Sequence, residues 1–225
     1  MTTITNLSVS ELQYNTLYDH YKDSITYLKK DLVKRDKLTL NVFASIILYF
    51  LVEIKPSHSV SLANSLAKDK IGIPLGINYS LLSTAILLFL LWSVIRYFQM
   101  CLNIEKQYNY IHNLESKINN LLGDELITRE GHSYLEDYPL LSALIHRIYN
   151  FFLPIGITVS MVIKIIIIPV HDFSILYIVN IILQLMIILC SFLYLLFIYR
   201  DVPFAKKLNT NVKYIFIKVH LYKED

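Results

Sequence analysis

Four stretches of this chain are long, apolar and almost free of charge, and a polypeptide of 225 residues has little room to be anything but a membrane protein around them. Residues 38–54 hold one charge, Glu53, and residues 77–97 hold one, Arg96, at their far end. Residues 151–170 hold one, Lys164, and residues 173–199 hold none. A helix crosses about 30 Å of hydrocarbon with some 20 residues, at about 1.5 Å per residue. The composition agrees: 55% of residues are hydrophobic, 17% are charged, and the mean hydropathy is +0.47. The expected fold class is an all-α membrane protein of four transmembrane helices, with a cytoplasmic two-helix stalk and a small cytoplasmic α+β element.

The basic residues orient the spans. Lysine and arginine outside the spans are concentrated in residues 1–37, in the segment from Arg96 to Arg147 and in the tail from Arg200, and three occur between the first two spans. The positive-inside rule then makes both ends and the central segment cytoplasmic. The charged N-terminal segment resembles no secretory leader, so the first span is expected to act as an uncleaved insertion signal. The expected divisions are a cytoplasmic amphipathic helix (1–37), a transmembrane hairpin (38–100, spans about 38–54 and 77–97), a cytoplasmic segment of helix, hairpin and juxtamembrane helix (101–150), a second transmembrane hairpin (151–199, spans about 151–170 and 173–199) and a cytoplasmic tail (200–225). Arg96, Arg147, Arg200, Lys206 and Lys207 are placed to contact the anionic inner leaflet.

Two apolar seams flank the first hairpin. Tyr14, Tyr18, Tyr21, Ile25, Leu28 and Leu32 recur at spacings of three and four. After the second span Ile104, Tyr108, Ile111, Leu114, Ile118 and Leu121 keep nearly the same rhythm, up to a glycine stop at Gly123. That period belongs to helices with one apolar face. One enters the bilayer where the other leaves it, so the pair is expected to run antiparallel as a stalk. Either the seams pack on each other or they also pack on neighbouring subunits. Homo-oligomers are expected.

The remaining cytoplasmic segments give weaker patterns. Residues 124–141 contain a Gly131 turn between short mixed segments, which suits a hairpin. Residues 140–149 suit an amphipathic helix on the inner surface, with His146 and Arg147 toward the headgroups. Residues 212–222 are rich in β-branched and aromatic types, as a strand would be. Between the first two spans, VSLANSLA suits a short interfacial helix and GIPLG a turn dipping back toward the membrane.

Polar residues inside the spans are the candidate site. The short PVHD linker forces the third and fourth spans into a hairpin, which places Lys164 about 9 Å and Asn180 about 10 Å inside the outer boundary. Gln184 shares the face of Asn180, four residues on. Lys164, Asn180 and Gln184 are expected to form one intramembrane polar cluster, with Glu53 as counter-ion if the first span reaches that level. Two readings stand: Lys164 snorkels outward while the amides join helices, or the cluster lines a hydrated cavity or subunit interface that opens an ion path.

No phosphate-binding loop, nucleophile elbow, His-Glu-x-x-His motif or paired acidic site occurs, and Cys101 and Cys190 lack the spacing of a metal site or disulfide framework. Arg129, Glu130 and His132 match no catalytic pattern. The chain is expected to be no enzyme, with no cofactor, no metal and no direct contact with nucleic acid.

The layout carries a resemblance. YDHYKDSITYLKKDLVKRDKL leads straight into a span, and a second span runs out into RYFQMCLNIEKQYNYIHNLESKI. Over about residues 10–122 this resembles the SLATT domain, a two-span hairpin with cytoplasmic helices found in bacterial anti-phage systems. The third and fourth spans depart from that plan and are closer to other four-span defence proteins. The resemblance implies an oligomeric effector or sensor that acts on the bilayer with a soluble cytosolic partner, by pore opening or membrane perturbation. Two alternatives remain at this stage: a passive anchor that recruits a soluble partner, or a small constitutive ion channel.

Overall fold

The computed structural model describes residues 9–72, 76–124, 148–167 and 174–199. About 94% of these residues are helical, and no strand occurs among them. The sequence reading of residues 124–141 as a hairpin, 140–149 as a surface helix and 212–222 as a strand lies wholly or largely outside the described residues, as do Arg147, Arg200, Lys206 and Lys207.

Helix α1 is unbroken from Val9 to Ile54. The sequence divides this stretch by polarity at residue 37, but it contains no glycine or proline, so nothing interrupts the backbone ladder. Its 46 residues extend about 69 Å, more than twice the hydrocarbon thickness, so much of it must lie outside a bilayer. The helix ends because Lys55 precedes Pro56. The proline ring disfavours helical geometry at Lys55, which adopts φ −130°, ψ 67°, and Pro56 then opens helix α2, Pro56–Ile71. That helix is longer than the interfacial segment expected from VSLANSLA. Gly72 terminates it at φ 75°, a left-handed conformation that suits glycine, with its N–H bonded to Lys68 O.

Helix α3 runs from Tyr79 to Leu122, again without glycine or proline, and ends at Gly123 with φ 75°. Asn78 caps its start by accepting from Leu81 N–H at 2.8 Å. A five-residue π-helical turn, Ile148–Phe152, leads into helix α4, Leu153–Ile167. Pro154 sits in the first turn of α4, where its missing N–H costs nothing. Helix α5 spans Ile175–Ile198, and its N-cap Ser174 accepts from Tyr177 N–H. Helices α1, α3 and α5 and the segment Ile148–Ile166 are each long and apolar enough to cross a membrane.

The chain divides into two compact units. In the first, formed by residues 1–37 and 99–145, the described parts of α1 and α3 pack through Tyr21, Leu28, Ile104, Ile111, Leu114 and Ile118. Tyr14, Leu17, Ile25, Leu32, Met100 and Tyr108 flank this core. The helices are antiparallel here: Tyr21 pairs with Glu115, whereas Asp31, further along α1, pairs with Gln107 and Asn103, further back on α3. Two residues assigned to the seam lie off it. Tyr18 is 41% exposed and stacks on Tyr14, because Leu17 holds the position that the three-four spacing requires. Leu121 is 46% exposed, one turn past Ile118, where the core ends.

Asp31 is the polar node of this unit. Its Oδ2 accepts from Gln107 Nε2 at 2.7 Å and Asn103 Nδ2 at 3.0 Å, and its Oδ1 from Lys34 Nζ at 2.9 Å. Burial pushes the carboxyl pKa up, but these hydrogen bonds and the Lys34 charge outweigh it and hold the pKa below the ordinary value. A depressed folded-state pKa contributes stability above the unfolded value, and that stability is lost as pH falls through the folded one. Thermal unfolding of the detergent-solubilised chain, followed by circular dichroism, should therefore lose stability below about pH 4. Asp31→Ala, which strands the Gln107 and Asn103 amides, should cost about 2 kcal/mol at neutral pH and flatten that acid loss.

In the second unit, residues 38–98 and 146–225, polarity is inverted relative to a water-soluble protein. Leu40, Ile47, Leu51, Leu88, Ile166, Ile178 and Leu185 are exposed, while Ser45, Glu53, Ser83, Thr84, Asn180, Gln184 and Ser191 are buried. An apolar exterior on four long helices suits a lipid surround.

Candidate functional site

The inverted polarity gathers on one face of each helix. Spacings of four and seven residues put Ser45, Tyr49 and Glu53 in a row on α1, and Asn180, Gln184 and Ser191 in a row on α5. Helix α3 contributes Tyr79, Ser83 and Thr84, and α4 contributes Lys164. These residues lie in the second unit; Glu53 and Lys164 are near the ends of α1 and α4, Tyr79, Ser83 and Thr84 near the start of α3, and Asn180 near the start of α5.

Glu53 is the centre. Its side chain is 0% exposed and forms an ion pair with Lys164, whose side chain is 14% exposed. The Lys164 ammonium and the Tyr79 hydroxyl both donate to Glu53 Oε2, and Ser83 Oγ donates to Oε1 at 3.1 Å. Three helices therefore meet on one carboxylate. Helix ends explain part of this choice. Glu53 lies in the last turn of α1, where the carbonyl end of the helix dipole opposes a negative charge, so the carboxylate needs outside donors. Lys164 lies in the last turn of α4, where the same dipole favours a cation.

The two amides of α5 sit beside this centre with partners of their own. Thr84 Oγ1 lies 2.6 Å from Asn180 Oδ1 and 2.7 Å from Ser80 O. One hydroxyl has one proton, so both contacts are satisfied together when the Asn180 amide turns its nitrogen toward Thr84. One turn further along α5, Gln184 Nε2 donates to the fully buried Tyr49 hydroxyl at 2.6 Å. Glu53 thus serves as the counter-ion of Lys164, whereas the hydrogen bonds of Asn180 and Gln184 go to Thr84 and Tyr49.

A second polar group forms where α3 and α5 meet the π turn. Tyr97 OH donates to Tyr149 O at 2.8 Å, and Tyr194 OH donates to Asn150 Oδ1 at 3.2 Å. The Phe98 and Tyr194 rings stack 4.2 Å apart at 10°. Two hydroxyls thereby fix the turn that launches α4.

Tyr49, Tyr79, Ser83, Thr84, Tyr97, Asn150 and Tyr194 were not among the candidates. Tyrosine counts as apolar in span finding, and serine and threonine are common in membrane helices, so none interrupts the pattern. The available signal was phase: Tyr49 and Glu53 are four apart, as are Asn180 and Gln184. Of the proposed headgroup contacts within the described residues, Arg96 is exposed on α3. Among the described residues, no group of three or more histidine, cysteine, aspartate or glutamate side chains is placed to hold a metal ion.

No protein-family model, curated protein or solved structure matches the chain.

Breaking a buried ion pair from one side leaves a charge without its partner, which typically costs about 3–5 kcal/mol, whereas replacing both members by apolar residues is often neutral. Lys164→Leu should lower stability by about that amount, and Glu53→Leu/Lys164→Leu should recover most of it. Denaturation in mixed micelles, arranged as a double-mutant cycle, measures the coupling; additive losses would remove Glu53 from its central role.

Proposed function

We propose that the chain is a multi-pass effector or sensor of a bacterial inner membrane that is closed at rest and conducts when the Glu53–Lys164 pair separates. Its termini lie in the cytosol and it works as a homo-oligomer. The observation that supports this best is the pair itself: two opposite charges, joined by the Tyr79 and Ser83 hydroxyls, bind α1, α3 and α4 inside helices whose outer faces are apolar. Passive anchoring needs no such group, since apolar spans associate through packing and small polar contacts. A charged pair in hydrocarbon is costly and is most often kept for function.

In this reading the paired segments of α1 and α3 in the first unit form the cytoplasmic stalk and receive the signal. Each of these helices continues without a break into the second unit. The setting in anti-phage defence, with a soluble cytosolic partner, rests on the layout described above. One observation favours the rival reading of an anchor: Tyr27, Val33 and Tyr110 of the first unit are exposed and offer a surface to a soluble protein.

A membrane-potential dye in bacteria expressing the chain separates the readings. Wild type should hold the potential in uninfected cells and lose it on phage infection. Lys164→Leu should lose it without infection, and Glu53→Leu/Lys164→Leu should hold it. A steady potential in every strain and condition supports the anchor, and loss in uninfected wild type supports a constitutive channel.

A further inference from the structure

The second unit buries more hydroxyls than its polar centre uses. On α1, Ser45 lies one turn below Tyr49, which lies one turn below Glu53, and all three are buried. On α5, buried Ser191 and Tyr194 continue the face of Asn180 and Gln184. On α3, Ser93 lies between Thr84 and Tyr97. Ser93 is 0% exposed, and its Oγ has no hydrogen-bond partner among the described residues. A serine in a membrane helix ordinarily bonds the carbonyl four residues back, as Ser191 does with Ile187 O, and a buried hydroxyl left alone is a standing cost. Taken in helix order, these polar groups run as a column from Glu53 toward Tyr194 and Asn150.

We propose that this column is a proton path, with Glu53 as the group that loads and releases the proton and its ion pair with Lys164 as the lock that keeps the path shut. The inference rests on the conducting-effector reading above and names what is conducted. Metal cations are disfavoured: the Glu53 carboxylate is occupied by an ammonium group, which repels them, and among the described residues no ring of carboxylates or carbonyls replaces their hydration shell. A proton needs groups that both give and accept hydrogen bonds, and hydroxyls do both.

The step is a simple exchange. A proton arriving from the side of α2 adds to Glu53 Oε2, forming one O–H bond and leaving Lys164 as an unpaired cation. Loss of that proton to the next hydroxyl or water on the far side restores the ion pair. The charged and titratable groups around Glu53 are Lys164 from α4, Tyr79 from α3 and Tyr49 from its own helix, while α5 presents neutral amides. The transmembrane proton gradient supplies the direction.

The test uses the full chain reconstituted in phosphatidylethanolamine–phosphatidylglycerol vesicles that carry a lumenal pH dye or, separately, a sodium dye. Lys164→Leu, which frees Glu53, should pass protons about tenfold faster than protein-free vesicles and leave sodium excluded. Adding Glu53→Gln, or Ser93→Val, should return proton entry toward the protein-free rate. Should Lys164→Leu reconstitute without native helicity, Tyr79→Phe, which loosens the same lock, takes its place with the same expectations. Proton flux that survives Glu53→Gln overturns the proposal, as does sodium entering alongside protons. The sodium result leaves the effector reading standing, whereas vesicles tight to both ions in the freed variant end both.

Discussion

A carboxylate and an ammonium group buried among apolar helices set the terms for the second unit. In a low-dielectric interior neither charge is tolerable alone, and their attraction offsets the desolvation only when the remaining valences are satisfied. Glu53 meets that condition through Tyr79 and Ser83. The requirement propagates outward: it fixes which face of α1 turns inward, which end of α4 approaches it, and where α3 must begin. Apolar residues are then free to occupy the outer faces, where lipid asks nothing more of them than hydrophobicity.

The first unit solves a different problem. Two helices can associate by burying apolar side chains against each other, and the core from Tyr21 to Leu28 and from Ile104 to Ile118 does this. Asp31 adds register, since its two oxygens are shared by three donors on both helices. The same two helices thus meet different demands along their length, apolar side chains packed inward in the first unit and, in the second, buried polar groups set among buried apolar ones beneath an apolar exterior. Continuous helix is compatible with both because backbone hydrogen bonding is satisfied within the helix whatever surrounds it.

Much of this was legible in the residue order, and the failures have physical causes. Four apolar stretches were readable because hydropathy summed over some 20 residues is a strong signal. Helix ends at Pro56 and Gly72 and the stop at Gly123 follow from backbone chemistry that proline and glycine cannot conceal. The join between the charged and apolar parts of α1 looked like a boundary, because polarity changes there while helical propensity does not. Glu53 was readable as a counter-ion for Lys164 from its charge, but its depth was not, because the reach of the first span is not fixed by hydropathy. Tyr49, Tyr79 and Thr84 were not, because a hydroxyl on a ring or a short side chain barely alters a hydropathy average, and which hydroxyl meets which amide depends on rotation about helices that no one-dimensional pattern gives.

The π turn at Ile148–Phe152 has a reach beyond its five residues. A π turn holds a surplus residue relative to an α-helix, so giving it up would rotate everything downstream by roughly 100° about the helix axis. Lys164 lies on that downstream helix. The compass bearing of its ammonium is therefore inherited from a wide loop of backbone three helical turns away, clasped there by the rims of two tyrosine rings.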